Sequence, residues 1–333
     1  MMAVIPSAGY GKRMFPLTKK YPKCALPVLN KPLIVHTIEL LQDLKIKKIV
    51  VVIGYLGNAI KNKLKQLKTC PNVKFVSQKD INGDLSAIKI AKDKTSFKGN
   101  LLVIWGDNYF KGVLNNLVHL HHNNNFTISL ILEKSKSIHA KPKFVVNNNK
   151  VIKIFKNSNK LKTLKNFKIG IPCGVYILNT DVLSLYDYAF DSTCNEYKLD
   201  LLLELLLNKG EKVGFTWIKG WRINITCPKD LLLANILTLN EIGKSFHYTS
   251  NSEIKGSKLR RVIIGSDCKI YNSKITNSVI FGNVKIFNCR ISNSIITDDV
   301  CLKYRNLVNS VAMADFDEGS CYRMCRFYRI QPS

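Results

Sequence analysis

The sequence predicts an α/β protein, a mixed and mainly parallel sheet flanked by helices, followed by a short parallel β-helix. Two observations predict this. From residue 1 to about 133, short apolar runs alternate with amphipathic stretches, and from Glu253 to Ala312 aliphatic residues recur at a fixed long period. With 333 residues, 46% of them hydrophobic, the chain can bury a core for each part.

In the first part the strand candidates are Ala3–Pro6, Lys48–Ile53, Val73–Val76, Leu101–Trp105 and Thr127–Leu132. Helix candidates lie between them. Pro32–Leu44 starts with a proline suited to a first helical turn and puts Ile34, Ile38 and Leu41 on one face, and Ile60, Leu64 and Leu67 repeat the pattern. Strands separated by helices of this length read as βαβ units, whose ligands bind at the carboxyl ends of the strands. Three further runs, Phe144–Val146, Val151–Phe155 and Gly174–Leu178, extend the sheet, followed by helices at Lys198–Asn208 and Pro228–Asn240 with a strand near Lys212–Trp217 between them.

The second part has its own period. Ile264, Ile270, Ile275, Ile280, Ile286, Ile291, Ile296 and Leu302 step by 6, 5, 5, 6, 5, 5 and 6, a repeat of 16 residues. Lys269 to Ser278 lies over Lys285 to Ser294 after one such shift, and a looser copy runs through Leu302, Leu307, Asn309 and Ser310. Fixed periods of this kind mean stacked coils sharing one core, here with three short sides per coil. The expected division is therefore a catalytic domain over 1–241, a linker over 242–252, the β-helix over 253–312 and a capping tail over 313–333.

Composition excludes several function classes. No apolar run reaches the ~18 residues that a membrane-spanning helix needs. The ten cysteines are scattered through apolar segments, never as Cys-x-x-Cys, and read as reduced thiols of a cytoplasmic protein; Cys321 and Cys325 lack a second pair to complete a zinc site. The N-terminus runs straight into an apolar strand with no basic leader. A net charge of +28 suits a nucleic-acid binder, but the lysines spread through the whole chain beside many asparagines and isoleucines, as an A/T-biased coding sequence produces. A solvated basic surface is the better reading, and nucleic acid is not an expected partner. His119, His121 and His122 have no carboxylate or cysteine at ligand spacing and read as solvated or partly packed.

The chemistry-bearing residues follow the first strand. Ala8-Gly9-Tyr10-Gly11-Lys12-Arg13 ends it with glycines that let backbone N–H groups approach an anion, and Lys12, Arg13 and Lys23 surround that position with cations. A triphosphate fits this pattern. Asp107 closes the apolar run Leu101 to Trp105 and can hold a divalent cation against it.

The spacing from Ala8-Gly9-x-Gly11-x-Arg13 through Pro16-Leu17-Thr18 and Pro22-Lys23 to Lys31-Pro32-Leu33 resembles the opening signature of the sugar-phosphate nucleotidyltransferases. The resemblance extends over nearly the whole chain and is strongest to the long glucose-1-phosphate thymidylyltransferases that carry a left-handed β-helix. It implies the Rossmann-like fold of nucleotide-diphospho-sugar transferases, Mg²⁺ as cofactor, and transfer of a nucleotidyl group from dTTP or UTP to a sugar 1-phosphate. It also assigns roles. Ala8, Gly9, Gly11 and Lys12 line the triphosphate, Arg13 stabilises the leaving pyrophosphate, and Lys23 offsets charge at the α-phosphate. Gln78 and Gly83 read the base, Asp107 and Asn224 hold the metal, and Gly174, Glu196 and Lys156 face the sugar phosphate.

Departures from the family pattern gather on the sugar side. Lys12 replaces a Thr and Asn224 an Asp, while Lys143-Phe144, Lys156-Asn157-Ser158 and Pro172-Cys173-Gly174 stand where the family has Tyr-Gly, Glu-Lys-Pro and Asn-Ala-Gly. Two alternatives to an active enzyme follow, a degenerate paralogue that binds nucleotide or a partner without turnover and a basic nucleic-acid binder. A homo-oligomer assembled through the β-helix is also expected.

Overall fold

The computed structural model describes residues 1–65, 73–134, 142–155, 168–249, 251–315 and 324–331. By compactness they fall into two units, Met1–Gly9 with Ile34–Arg222, and Tyr10–Leu33 with Ile223–Ser333.

The first unit is built on a nine-stranded sheet. Its strands are β1 (Met2–Ser7), β2 (Ile49–Ile53), β3 (Val73–Ser77), β4 (Asn100–Ile104), β5 (Ile128–Lys134), β6 (Lys143–Asn147), β7 (Lys150–Phe155), β8 (Lys168–Asn179) and β9 (Val213–Trp217). They lie in the order β3-β2-β1-β4-β8-β5-β9-β7-β6. Pairing is parallel from β3 to β4 and between β5 and β9, and antiparallel elsewhere, so only β7 and β8 run against the other seven. Strands buried on both faces read as unbroken apolar runs, as in Ile49-Val50-Val51-Val52-Ile53, all of it buried.

Helices α1 (Leu33–Asp43), α2 (Gly57–Lys65), α3 (Asp84–Thr95), α4 (Asn115–Asn123) and α5 (Leu199–Asn208) cover the sheet. Ile34, Ile38 and Leu41 are buried as their spacing predicts, whereas α3 has no counterpart among the sequence-derived helices. Its buried apolar residues are Leu85, Ala87, Ile88 and Ala91, with Ile90 partly buried, a weak stripe among lysines completed by core packing. Phe144, which the family pattern sets beside the sugar, is fully buried in this core.

In the second unit α6 (Pro228–Glu241) precedes the β-helix. Successive β-helix strands pair in parallel at a step of 16 residues, as in Ile254 with Ile270, Ile270 with Ile286 and Ile286 with Leu302. The eight aliphatic positions of the repeat are all buried. The corners give six of the asparagines that composition ascribes to coding bias a structural reason. Asn272 and Asn288, Asn277, Asn293 and Asn309, and Asn283 all hold positive φ, a conformation that asparagine adopts more readily than other side-chain-bearing residues. Two of them also ladder between coils, Asn277 Nδ2 donating to Asn293 Oδ1 at 2.9 Å and Asn283 Nδ2 to Asp299 Oδ1 at 2.8 Å. Serines do the same for the backbone, the Oγ of Ser257, Ser273, Ser278 and Ser294 each accepting the amide 16 residues on.

Within the expected linker, Phe246–Tyr248 already pairs with Val262–Ile264 as a first rung. Beyond the last rung, Met324–Arg329 pairs antiparallel with Ser310–Asp315, so the tail adds a closing strand.

Candidate active site

Parallel strands β1, β2, β3 and β4 end on one edge of the sheet, and the loops leaving them carry the expected nucleotide residues of the first unit. Ala8 follows β1; its carbonyl accepts the Tyr55 amide at 3.0 Å, and Gly54 packs so closely on it that a Cβ there would lie 2.9 Å from Ala8 Cβ. Gly9 differs. A Cβ added to it meets no protein atom within 4 Å, and its φ is not positive, so nothing in the described fold demands glycine at this position.

Gln78 follows β3, its amide buried and its Nε2 donating to the Gly83 carbonyl at 3.3 Å. Gly83 has φ +117 and precedes α3, and a Cβ there would run into the Tyr197 carbonyl. That contact joins two expected subsites, because Tyr197 follows Glu196 in a hairpin pairing Phe190–Asp191 with Glu196–Tyr197. The hairpin is held by Tyr197 N to Asn82 O at 2.8 Å, by stacking of Tyr186 on Tyr197 with centroids 4.1 Å apart, and by Lys198 on Asp191 at 2.7 Å. The Lys198 ammonium, with Thr193 donors, holds the Asp191 carboxyl well below its usual range.

Asp107 leaves β4 half-buried. Gly106 N donates to Pro6 O at 3.0 Å on one side, and Trp105 N donates to Gly174 O at 3.0 Å on the other. Gly174 has φ +71, and a Cβ would lie 2.5 Å from Asn108 Nδ2 and 2.6 Å from Trp105 Cδ1. Asp107 is thereby set between the end of β1 and the Gly174 corner.

Sequence reasoning assigned no role to Arg222, although its guanidinium organises that corner. It donates from Nη1 to Asn108 Oδ1 at 3.3 Å and from Nη2 to Pro172 O at 3.2 Å, and its Nε lies 3.4 Å from Glu133 Oε2. No sequence spacing connects residues 108, 133, 172 and 222; only the antiparallel return of β8 does. Beside them Cys173 is buried, and burial pushes its thiol up to about 11.

The second unit holds the rest of the signature. Three short 3₁₀ turns, Lys12–Met14, Leu17–Lys19 and Lys23–Ala25, bury Met14, Leu17 and Cys24. Lys12 and Arg13 are exposed and Lys23 half-buried. Gly11 has φ +63, and Thr18 closes over it, Oγ1 donating to Gly11 O at 3.1 Å. Leu29 and Asn30, both at positive φ, turn a hairpin between Pro27–Val28 and Lys31–Pro32. The fully buried Asn235 of α6 fastens it, accepting from Leu29 N at 2.9 Å and donating to Pro27 O at 3.0 Å. Asn224 is exposed on the strand leading to α6, whose start is capped by Asp230 accepting the amides of Thr226 and Cys227 at 2.8 Å each.

Thus Ala8, Gly9, Gln78, Gly83, Asp107, Gly174 and Glu196 belong to the first unit, and Gly11, Lys12, Arg13, Lys23 and Asn224 to the second. Lys156, with Asn157 and Ser158, lies outside the described residues. Among the described residues no three His, Cys, Asp or Glu side chains cluster as a metal cage. The histidines of α4 stand apart: His121 is buried with Nδ1 3.0 Å from Ser129 Oγ, and His119 and His122 are exposed.

The family model for nucleotidyl transferases matches residues 2–222. The chain belongs to this family. Among curated relatives, the bifunctional protein GlmU of Methanococcus maripaludis is 28% identical over 242 residues, covering 73% of this chain and 55% of its own length. The UTP–glucose-1-phosphate uridylyltransferase AglF of Haloferax volcanii is 25% identical over 230 residues, covering 69% of this chain and 93% of the relative. This chain thus spans about half the length of the GlmU relatives it matches. A solved UDP-glucose pyrophosphorylase, complexed with UDP-glucose, superposes with a TM-score of 0.63 at 18% identity, covering 72% of this chain and all of that one. This nucleotidyl transferase therefore has the Rossmann-like fold of nucleotide-sugar transferases, followed by a β-helix.

Proposed function

We propose that this chain joins a nucleoside triphosphate, UTP or dTTP, to a sugar 1-phosphate, releasing pyrophosphate and the nucleotide sugar. The observation that carries the reading is the placement of Asp107, bracketed by Gly106 N on Pro6 O and Trp105 N on Gly174 O. A carboxylate at the carboxyl edge of a parallel sheet, between a glycine-rich strand end and a polar corner, suits a site where a triphosphate meets a second substrate.

A sugar 1-phosphate oxygen attacks the α-phosphorus in line; its bond to phosphorus forms as the bond to the β-phosphate bridging oxygen breaks, and pyrophosphate leaves with that electron pair. Both reactants are anions, so neutralising charge matters more than removing a proton. Arg13 binds the departing pyrophosphate and Lys23 the α-phosphate, Ala8, Gly9, Gly11 and Lys12 cradle the triphosphate, and Gln78 with Gly83 orients the base. Gly174 and Glu196 orient the sugar, with Lys156 as a further phosphate contact. Asp107 and the Asn224 amide oxygen are the residues that would hold Mg²⁺, which would supply further positive charge against the phosphates.

The uridylyltransferase relative favours UTP, whereas the strongest sequence resemblance favours dTTP. A cytoplasmic location, where scattered cysteines stay reduced, is part of the same proposal. Self-association through the β-helix is part of the same proposal. Incubating the protein with Mg²⁺, each of UTP, dTTP, CTP and GTP, and a panel of sugar 1-phosphates identifies both substrates by pyrophosphate release. Asn224 favours one second reading, a nucleotide binder without turnover, which predicts stabilisation by nucleotide with no release from any pair.

A further inference from the structure

The loop that carries Arg13 and Lys23 is tied to the β-helix within the second unit. Tyr21 Oη donates to Asp298 Oδ2 at 2.6 Å, and Asp298 Oδ1 accepts the Gly282 amide at 2.8 Å, so the carboxylate is itself fixed. The Tyr21 ring meets Phe281 edge to face with centroids 5.4 Å apart. Lys20 lies 3.6 Å from Asp299, and Asn30 Nδ2 donates to Ile264 O at 2.7 Å. Phe15 meets Tyr328 of the closing strand edge to face at 5.8 Å.

We propose that Tyr21 and Asp298 are a positioning pair, whose hydrogen bond holds the loop in the geometry in which Arg13 and Lys23 meet the phosphates. This rests on the function proposed above. Between Gly11 and Leu26 the loop's own regular structure is three 3₁₀ turns, whose hydrogen-bond geometry is poorer than that of an α-helix. Groups that stabilise developing charge must nonetheless be held to about 0.5 Å. A short bond from a hydroxyl to a carboxylate is among the stronger side-chain bonds, and burial together with the Asp298 charge keeps the Tyr21 phenol protonated far above its ordinary range. Only Pro22, with φ fixed by its ring, separates Tyr21 from Lys23, so an anchored Tyr21 leaves Lys23 little backbone freedom.

The test uses the full chain carrying Tyr21→Phe, Asp298→Ala or both, with Tyr304→Phe at an exposed corner as control. Hydrogen exchange should accelerate roughly tenfold to hundredfold at residues 12–26 in the first three variants, the scale of losing a hydrogen bond to a charged acceptor, with residues 274–280 unchanged. In pyrophosphate release, kcat should fall at least about tenfold while KM for the triphosphate stays within about twofold, since mispositioned cations lose transition-state rather than ground-state contacts. The double variant should be no worse than the worse single, because each single change already removes the Tyr21–Asp298 bond, the Asp298 change also releasing the Gly282 amide. Unchanged exchange at 12–26 overturns the anchor, and faster exchange with unaltered kcat overturns the positioning role. If the unaltered protein releases no pyrophosphate, the proposed function fails, and the exchange comparison still decides whether the pair holds the loop.

Discussion

Gly9→Ala separates what the fold requires from what a triphosphate requires. A Cβ at Gly9 meets no protein atom within 4 Å and the φ is not positive, so the variant should fold at least as well as the parent, with a gain of up to about 1 kcal/mol from the less flexible unfolded chain. If the Gly9 backbone approaches a phosphate, the added methyl blocks that approach and removes a hydrogen bond to a charged acceptor, worth about 1.5–3 kcal/mol, or about tenfold to hundredfold in affinity. At a nucleotide concentration 100 times the dissociation constant, bound nucleotide stabilises the parent by about 2.7 kcal/mol. A hundredfold weaker variant would keep only about 0.4 kcal/mol of that at the same concentration. Differential scanning fluorimetry with and without nucleotide reads both quantities. A variant that keeps the full nucleotide-induced shift and parental pyrophosphate release would refute the reasoning. Gly11→Ala is the contrast: at φ +63, with its Cβ 2.9 Å from Thr18 Cγ2, it should lose stability before any nucleotide is added.

Asp107→Asn should abolish most metal-dependent turnover, and Lys23→Ala should lower kcat by about 10²–10³, both measured by pyrophosphate release. Burial, and then the neighbouring His122 charge, depress His121 from 6.5 to about 4. Below pH 6.5 the unfolded chain therefore binds a proton that the folded chain refuses; stability is complete above 6.5 and falls by up to about 3 kcal/mol as the pH drops towards 4. Urea unfolding at several pH values should show this slope, and His121→Gln should flatten it. Asn277→Ala should cost about 1 kcal/mol more than Asn277→Gly, since both lose the bond to Asn293 but only alanine is strained at φ +48; thermal unfolding measures the difference.

The parts legible in the sequence are those whose signal is local and periodic. The strands of Ala3–Pro6 and Lys48–Ile53 and the 16-residue step from Ile264 to Leu302 declare themselves because burial on a fixed period leaves an apolar trace. The glycines at 9, 11, 83 and 174 were legible as a pattern, but their reasons differ: three have positive φ and close neighbours, and Gly9 has neither. What stayed hidden depends on separation along the chain. Arg222 reaches a carbonyl 50 residues away, Asn235 fastens a hairpin 206 residues away, and Tyr21 finds its carboxylate at a separation of 277. The asparagine corners were hidden for another reason. Positive φ leaves no apolar signature, so residues chosen for backbone conformation resemble a drift in composition until the 16-residue spacing of the turns is seen.

A solenoid is ordinarily free to grow, since a duplicated coil finds the same neighbours as the original. Here the serine and asparagine ladders would accept an extra 16-residue turn, but the N-terminal loop would not. Three of its contacts, at Ile264, Phe281 and Asp298, sit one after another on successive coils. A turn inserted between the first and the last would part them by about a further 4.8 Å, beyond what a hydrogen bond at either end can bridge. The loop is thus a ruler laid across the stack. In this chain a tandem duplication, the usual route by which repeat proteins change length, is expected to be selected against between these marks.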